Sequence, residues 1–279
     1  MVDLLKWYGY LGLALIFLSE INFYVRLQPF ADWYIPIVWL GYILFVDSLV
    51  YRIKRRSLIS TYPKELLFIA AISVPFWLIF ESYNLYTLSW YYVNYAWQVH
   101  LVDFTTILPA LMETFSLTNA LEIGARLDKR RAVKHDSNYN GRDKATISAL
   151  AVFGAFVALF PFLDPRLGYF VMFIGIFLLL DPINYLFGKP SVVHRVAIYG
   201  WGIIPRLFIS GLVMGFFWEF WNYQALPQWI YAIPAPIGIR LFAMPLWGYF
   251  GYLPFALEAY VFVAFFMSFF FSHNELISM

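Results

Sequence analysis

Two stretches of the chain place a carboxylate, a carboxamide and an indole at almost the same spacing. They are Glu81, Asn84 and Trp90 in FWLIFESYNLYTLSWYY, and Glu219, Asn222 and Trp229 in FFWEFWNYQALPQWIYAIP. Glu and Asn are three residues apart in both, which on a helix puts them on one face. Two further acids, Glu113 in LPALME and Glu258 in LPFALE, each follow a proline by four residues. Low dielectric favours the uncharged form of a carboxyl group, and an uncharged carboxyl is a proton donor. The chemistry on offer is therefore acid and base catalysis among aromatic rings, with Asn84 and Asn222 orienting carboxyls and Trp90 and Trp229 lining a cation with their ring faces. The plainer alternative is that the four acids join helices by hydrogen bonds.

The elements that must position these groups are membrane helices. The chain is 62% hydrophobic, 22% aromatic and only 13% charged, far more apolar than a soluble domain. Runs near the roughly 20 apolar residues needed to cross a bilayer predict about eight spans, over 7–25, 33–51, 65–84, 102–124, 145–163, 168–187, 203–222 and 246–272. The first run carries no small-residue cleavage site and reads as a span, with no cleavable leader. Only Arg26, Arg166 and Arg240 of the 19 Lys and Arg fall in alternate, outer segments, so both termini are expected on the cytoplasmic side. The basic runs lack interleaved aromatics, which argues against a nucleic-acid partner. Zero cysteines exclude disulfides and thiolate chemistry. Oligomeric state is left open.

The two stretches belong to a longer repeat. LGYILFVDSLVY at the end of the second span and IGIFLLLDPINY at the end of the sixth align Gly41, Asp47 and Tyr51 with Gly175, Asp181 and Tyr185. Together with the Glu-Asn stretches and LPALME/LPFALE, these anchors divide the chain into a membrane repeat over 1–125, a cytoplasmic basic linker over 126–144 and a second repeat over 145–279. Four spans per repeat insert both the same way up, as parallel repeats about a pseudo-two-fold axis along the membrane normal, with a site between them. Glu81, Glu219, Glu113 and Glu258 then fall in the outer half of the bilayer, where an ionisable group faces the bundle interior or a partner. Pro109 and Pro254 either kink their helices or start them; for Pro254, just after GYFGY, initiation is the favoured reading. Most of the Trp and Tyr in the outer loops read as an interfacial belt.

Several chemistries are missing from the sequence. His100, His135, His194 and His273 show no ligand spacing for iron or another metal. There is no Asp-rich diphosphate motif, dinucleotide fingerprint, P-loop or serine elbow. Cofactor-free proton chemistry on an apolar molecule remains, against two rivals: a proton-coupled transporter, and a non-enzymatic lipid-binding protein.

The arrangement resembles the membrane-embedded lycopene cyclase domain family, small carotenoid cyclases found as two-subunit or fused two-domain proteins. In that family each half carries an acidic residue after a helix end, a Trp about nine residues later, and then a Pro-x-Glu-Glu helix start. Glu81 with Trp90 and Glu219 with Trp229 fit the first element, with Glu in place of Asp. LPALME and LPFALE take the place of the second but set Glu113 and Glu258 further from the proline. The resemblance implies an integral-membrane enzyme acting on a hydrophobic isoprenoid or lipid substrate. One of Glu113 and Glu258 would protonate a terminal double bond, and the partner, Glu81 or Glu219 would take a proton back after ring closure.

Overall fold

The computed structural model describes residues 4–128, 141–232 and 239–271. The chain is mostly helical. Helices α1 (Trp7–Val25), α2 (Tyr34–Lys54), α3 (Leu58–Thr61) and α4 (Pro63–Thr87) lead into strand β1 (Trp90–Val93), then α5 (Trp97–Phe104) and α6 (Ile107–Ala120). After residues 129–140, which hold most of the basic segment and lie outside the described residues, come α7 (Gly141–Leu163), α8 (Pro165–Val171), α9 (Gly175–Leu186), α10 (Val192–Tyr199) and α11 (Ile203–Gln224). Strands β2 (Gln228–Tyr231), β3 (Arg240–Leu241) and β4 (Met244–Pro245), a 3-10 turn over Leu246–Gly251 and α12 (Tyr252–Phe270) complete it.

Among the described residues, six helices are long and apolar enough to cross a membrane, and α8 with α9 form an apolar pair bent by 52°, a seventh span if the two are counted as one. The expected fourth span, over 102–124, is not among them. It breaks after α5, where the Thr105 and Thr106 hydroxyls donate back to the Val102 and Asp103 carbonyls at 2.6 and 2.7 Å. Ser73 of α4 holds the break, donating to the Phe104 carbonyl at 2.5 Å and accepting from the Leu108 N–H at 3.0 Å. Beyond the break, α6 has only 14 residues. At 1.5 Å per residue it covers about 21 Å, short of the roughly 30 Å of hydrocarbon.

Two helices form the centre. Every residue of α6 from Ile107 to Ser116 is buried, and every residue of α12 from Phe255 to Ala264; a helix apolar on all sides belongs in a core. Pro109 and Pro254 are each the third residue of these helices, so both initiate a first turn and neither kinks a helix interior. On the periphery α1 packs on α2 and α7 on α9, leaving Phe17, Leu18, Val152 and Phe153 exposed, as suits a lipid surround.

The paired aspartates stabilise local structure. Asp47 accepts from the Ile59 N–H at 2.8 Å, the Ser57 hydroxyl at 2.8 Å and the Tyr8 hydroxyl at 2.7 Å. Asp181 accepts from the N–H groups of Val192 and Val193 at 2.5 and 3.1 Å. Each thus anchors the first turn of a short helix, α3 or α10, whose N-cap is Ser57 or Ser191. Those N-terminal N–H groups have no partner within the helix itself.

Candidate functional site: an aromatic cavity backed by two carboxyl groups

The repeated stretches fold alike and then meet. Both Glu81 and Asn84 lie on α4, one turn apart and near its end, as Glu219 and Asn222 lie on α11. The Asn84 carboxamide bonds Trp90 twice, accepting from its N–H at 3.0 Å and donating to its carbonyl at 2.9 Å. Asn222 does the same for Trp229, at 2.9 and 2.9 Å. In place of the expected role in orienting carboxyls, each carboxamide clamps the strand after its helix. The clamped strands pair antiparallel, Trp90 opposite Tyr231 and Tyr92 opposite Trp229. Because Trp90 and Tyr92 correspond in sequence to Trp229 and Tyr231, this register is self-complementary.

Alternate residues of a strand face the same way. Trp90, Tyr92, Trp229 and Tyr231 therefore turn inward together, while Tyr91 stays exposed. The inward four roof a cavity of about 300 Å³. Its wall continues through Trp77 of α4, Trp218 of α11, Met172 and Phe173 between α8 and α9, and Tyr252 and Phe255 of α12. Four indoles run around it in sequence: Trp90 to Trp77 at 6.2 Å, Trp77 to Trp218 at 5.2 Å and Trp218 to Trp229 at 5.5 Å between ring centroids. None of the described lining residues is charged. An aromatic wall of this kind suits a cation where ring faces are turned to it.

The carboxyls stand one hydrogen bond behind that wall. Glu81 Oε1 accepts from the Trp77 indole at 2.8 Å, the Trp90 indole at 3.3 Å and the Tyr92 hydroxyl. Glu219 Oε1 accepts from the Tyr231 and Tyr252 hydroxyls, both at 2.6 Å. The second Glu219 oxygen is buried with no hydrogen-bond partner. Within each strand the indole also bonds the tyrosine two residues on, Trp90 to Tyr92 at 3.2 Å and Trp229 to Tyr231 at 3.0 Å. Burial first, and then the adjacent carboxyl, hold the Tyr92 and Tyr231 hydroxyls well above the ordinary phenol range, so both remain protonated donors at neutral pH. His100, packed edge-on to Tyr92 at 3.8 Å, is brought down to about 4 by burial and carries no charge there.

Close helix packing delivers Tyr252. A Cβ built on Gly211 would lie 2.2 Å from the Tyr252 carbonyl oxygen, and one on Gly215 would lie 2.3 Å from the Tyr252 ring. Only glycine lets α12 approach α11 so closely, the small-residue device of membrane helices.

The other two acids sit elsewhere. Neither Glu113 nor Glu258 lines the cavity. Glu258 accepts from the Ile176 N–H at 2.9 Å, capping the start of α9 just beyond the bend. Glu113 is fully buried beside Asp47. Sequence reasoning missed Trp77, Trp218, Tyr252 and the pair Tyr92 and Tyr231. The last pair left a signal, since Trp-x-Tyr occurs in WYY and again in WIY. Among the described residues no group of His, Cys, Asp or Glu is placed to hold a metal ion. The chain matches no protein-family model, and no curated protein or solved structure similar to it was found.

Proposed function

We propose that this chain is an integral-membrane isoprenoid cyclase, closing a ring on a carotenoid-like polyene by proton transfer from and to buried carboxyl groups. The observation that carries the reading is the cavity: an aromatic space lined by five indoles, Trp77, Trp90, Trp218, Trp229 and Trp247, with Glu81 and Glu219 each joined to it through tyrosine hydroxyls. A carboxylic O–H breaks as a terminal double bond gains the proton. The resulting tertiary cation is attacked by a neighbouring double bond to close the ring, and loss of an adjacent proton to a carboxylate gives an isomer of the substrate. Glu219, the sealed acid, is assigned as proton source: the Tyr231 or Tyr252 hydroxyl, turned from Glu219 toward the alkene, gives up its proton as the carboxylic proton of Glu219 replaces it on the phenol oxygen, and Glu81 takes the Tyr92 proton as the Tyr92 oxygen accepts the one lost by the cation. Glu113 and Glu258, the donors expected from the family resemblance, become supports because they stand away from the cavity. Indole faces stabilise the cation in a water-free space, where preorganised dipoles act strongly.

The same reading takes the chain as two parallel repeats of about four helices each, the pseudo-two-fold axis passing near the paired residues Tyr91 and Ile230. Support comes from the self-complementary strand register and the duplicated Asn clamps and Asp anchors. The reading has both termini on the cytoplasmic side, supported by the excess of Lys and Arg in the segments assigned to that side. The test is pigment analysis of lycopene-accumulating cells expressing the chain. A cyclised isomer, lost in Glu219→Gln at equal expression, supports the assignment; unchanged lycopene removes it. The bend between α8 and α9 beside the cavity favours a second reading, a proton-coupled transporter, since transporters build sites at broken helices. Proton-driven flux through proteoliposomes would support that instead.

A further inference from the structure

The cavity is closed on the side where α4 and α11 end. There the paired strands form its roof, and each strand is fastened to its helix by two bonds from an asparagine. On another side the wall is made by α8 and by the 3-10 turn Leu246–Gly251. Phe170 and Phe250 belong to that wall, yet they are 68% and 70% exposed. Wall residues with most of their surface outside mark a mouth.

The bend makes this mouth. Gly168 of α8 lies so close to α7 that a Cβ there would be 2.3 Å from the Pro161 Cα, and α9 starts anew from the cap provided by Glu258. α8 is thereby drawn onto α7 and turned by 52° from α9. The corresponding helix of the first half, α2, runs unbroken from Tyr34 to Lys54. The mouth is rimmed by phenylalanine, and about 300 Å³ lies at the bottom of the roughly 300–1,000 Å³ range of ligand pockets. A space of that size has room for one end group of a long molecule and not for the whole.

We infer that the cavity is entered sideways from the hydrocarbon of the bilayer, between α8 and the 3-10 turn, by one end of a long apolar chain whose remainder stays in the lipid. The identity of that chain rests on the cyclase reading; the route does not. A membrane-dissolved substrate reaches the carboxyls without crossing water, and water is kept from the cation.

The chain has no cysteine, so a single introduced thiol reports access. Met172→Cys, in the wall and 1% exposed, is placed in proteoliposomes and treated with a lipid-soluble maleimide or a sulfonated, membrane-impermeant one supplied to both faces. Reaction with the lipid-soluble reagent alone is expected. A Cβ on Gly251 meets only Phe173, at 3.8 Å, and Gly251 lines the cavity, so a side chain can start there and Gly251→Trp serves as the plug. Adding it should slow modification of Met172→Cys by at least about tenfold, a modest rise in barrier. Leu159→Cys, exposed on α7, should react unchanged in the same background and so report a folded protein; Gly251→Leu is the milder plug. Modification of Met172→Cys by the sulfonated reagent, or indifference to both plugs, overturns the route. Because labelling needs no turnover, a chain that labels as expected but leaves lycopene unchanged keeps the lateral mouth and loses only the cyclase assignment.

Discussion

The stretch around Glu81 and the stretch around Glu219 share a plan and differ in how tightly each carboxyl is enclosed. Glu81 gathers three donors on one oxygen, and its side chain is only partly buried. Glu219 has two tyrosine donors, no exposed surface and one oxygen without a partner. Three donors stabilise a carboxylate, whereas a buried oxygen with no donor suits a group that keeps its proton. Beneath them the contrast recurs: Glu258 caps a broken helix, while Glu113 lies against Asp47 beside an unbroken one. A duplicated framework that keeps its clamps and varies its acids can thus assign opposite proton roles to two copies of one motif.

The largest expected effect separates those roles. On the proposed cyclase reading, Glu219→Gln should lower turnover by about 10²–10⁴-fold, the usual contribution of a general acid. Glu81→Gln should lower it less, because that side is only partly sealed; equal losses in a pigment assay would erase the distinction. Next come the clamps. Asn222→Ala leaves buried backbone groups of Trp229 unpaired and should cost about 2–4 kcal/mol, against about 1–2 for the less buried Asn84→Ala. Denaturation in detergent reads both, and the reverse order would break the comparison. Glu258→Leu should cost about 1–3 kcal/mol by orphaning the Ile176 N–H, whereas Glu113→Leu should stay within about 1 kcal/mol of the parent, since it removes an acid facing another acid. Smallest are the caps: Ser191→Ala should cost about 1 kcal/mol, and Ser57→Ala somewhat more, because Ser57 also donates to Asp47.

Much of the site was legible because repetition is visible in a single sequence. The Glu-to-Asn step held its spacing in both copies, and the anchors Asp47 and Asp181 kept their distance from the serines that cap α3 and α10. Contacts between distant segments were less legible. Strands of four residues lie in aromatic loops that read as membrane belt, and each finds its partner more than 130 residues away. Trp77 and Trp218 stand at different offsets from their glutamates, so no repeat points to them. The break between α5 and α6 comes from hydroxyl groups bonding to backbone and from Ser73 on another helix, which hydropathy does not register. Gly211 and Gly215, which break no hydropathy pattern, have a packing reason in Tyr252.

The most direct test of proton transfer from the cavity carboxyls is the isotopic content of the product formed in heavy water. If Glu219 protonates the polyene, each newly closed ring should carry one deuterium drawn from exchanged carboxyl or hydroxyl groups, and Glu219→Gln should yield neither ring nor label. A ring formed without deuterium, or formed equally well by Glu219→Gln, would contradict the account.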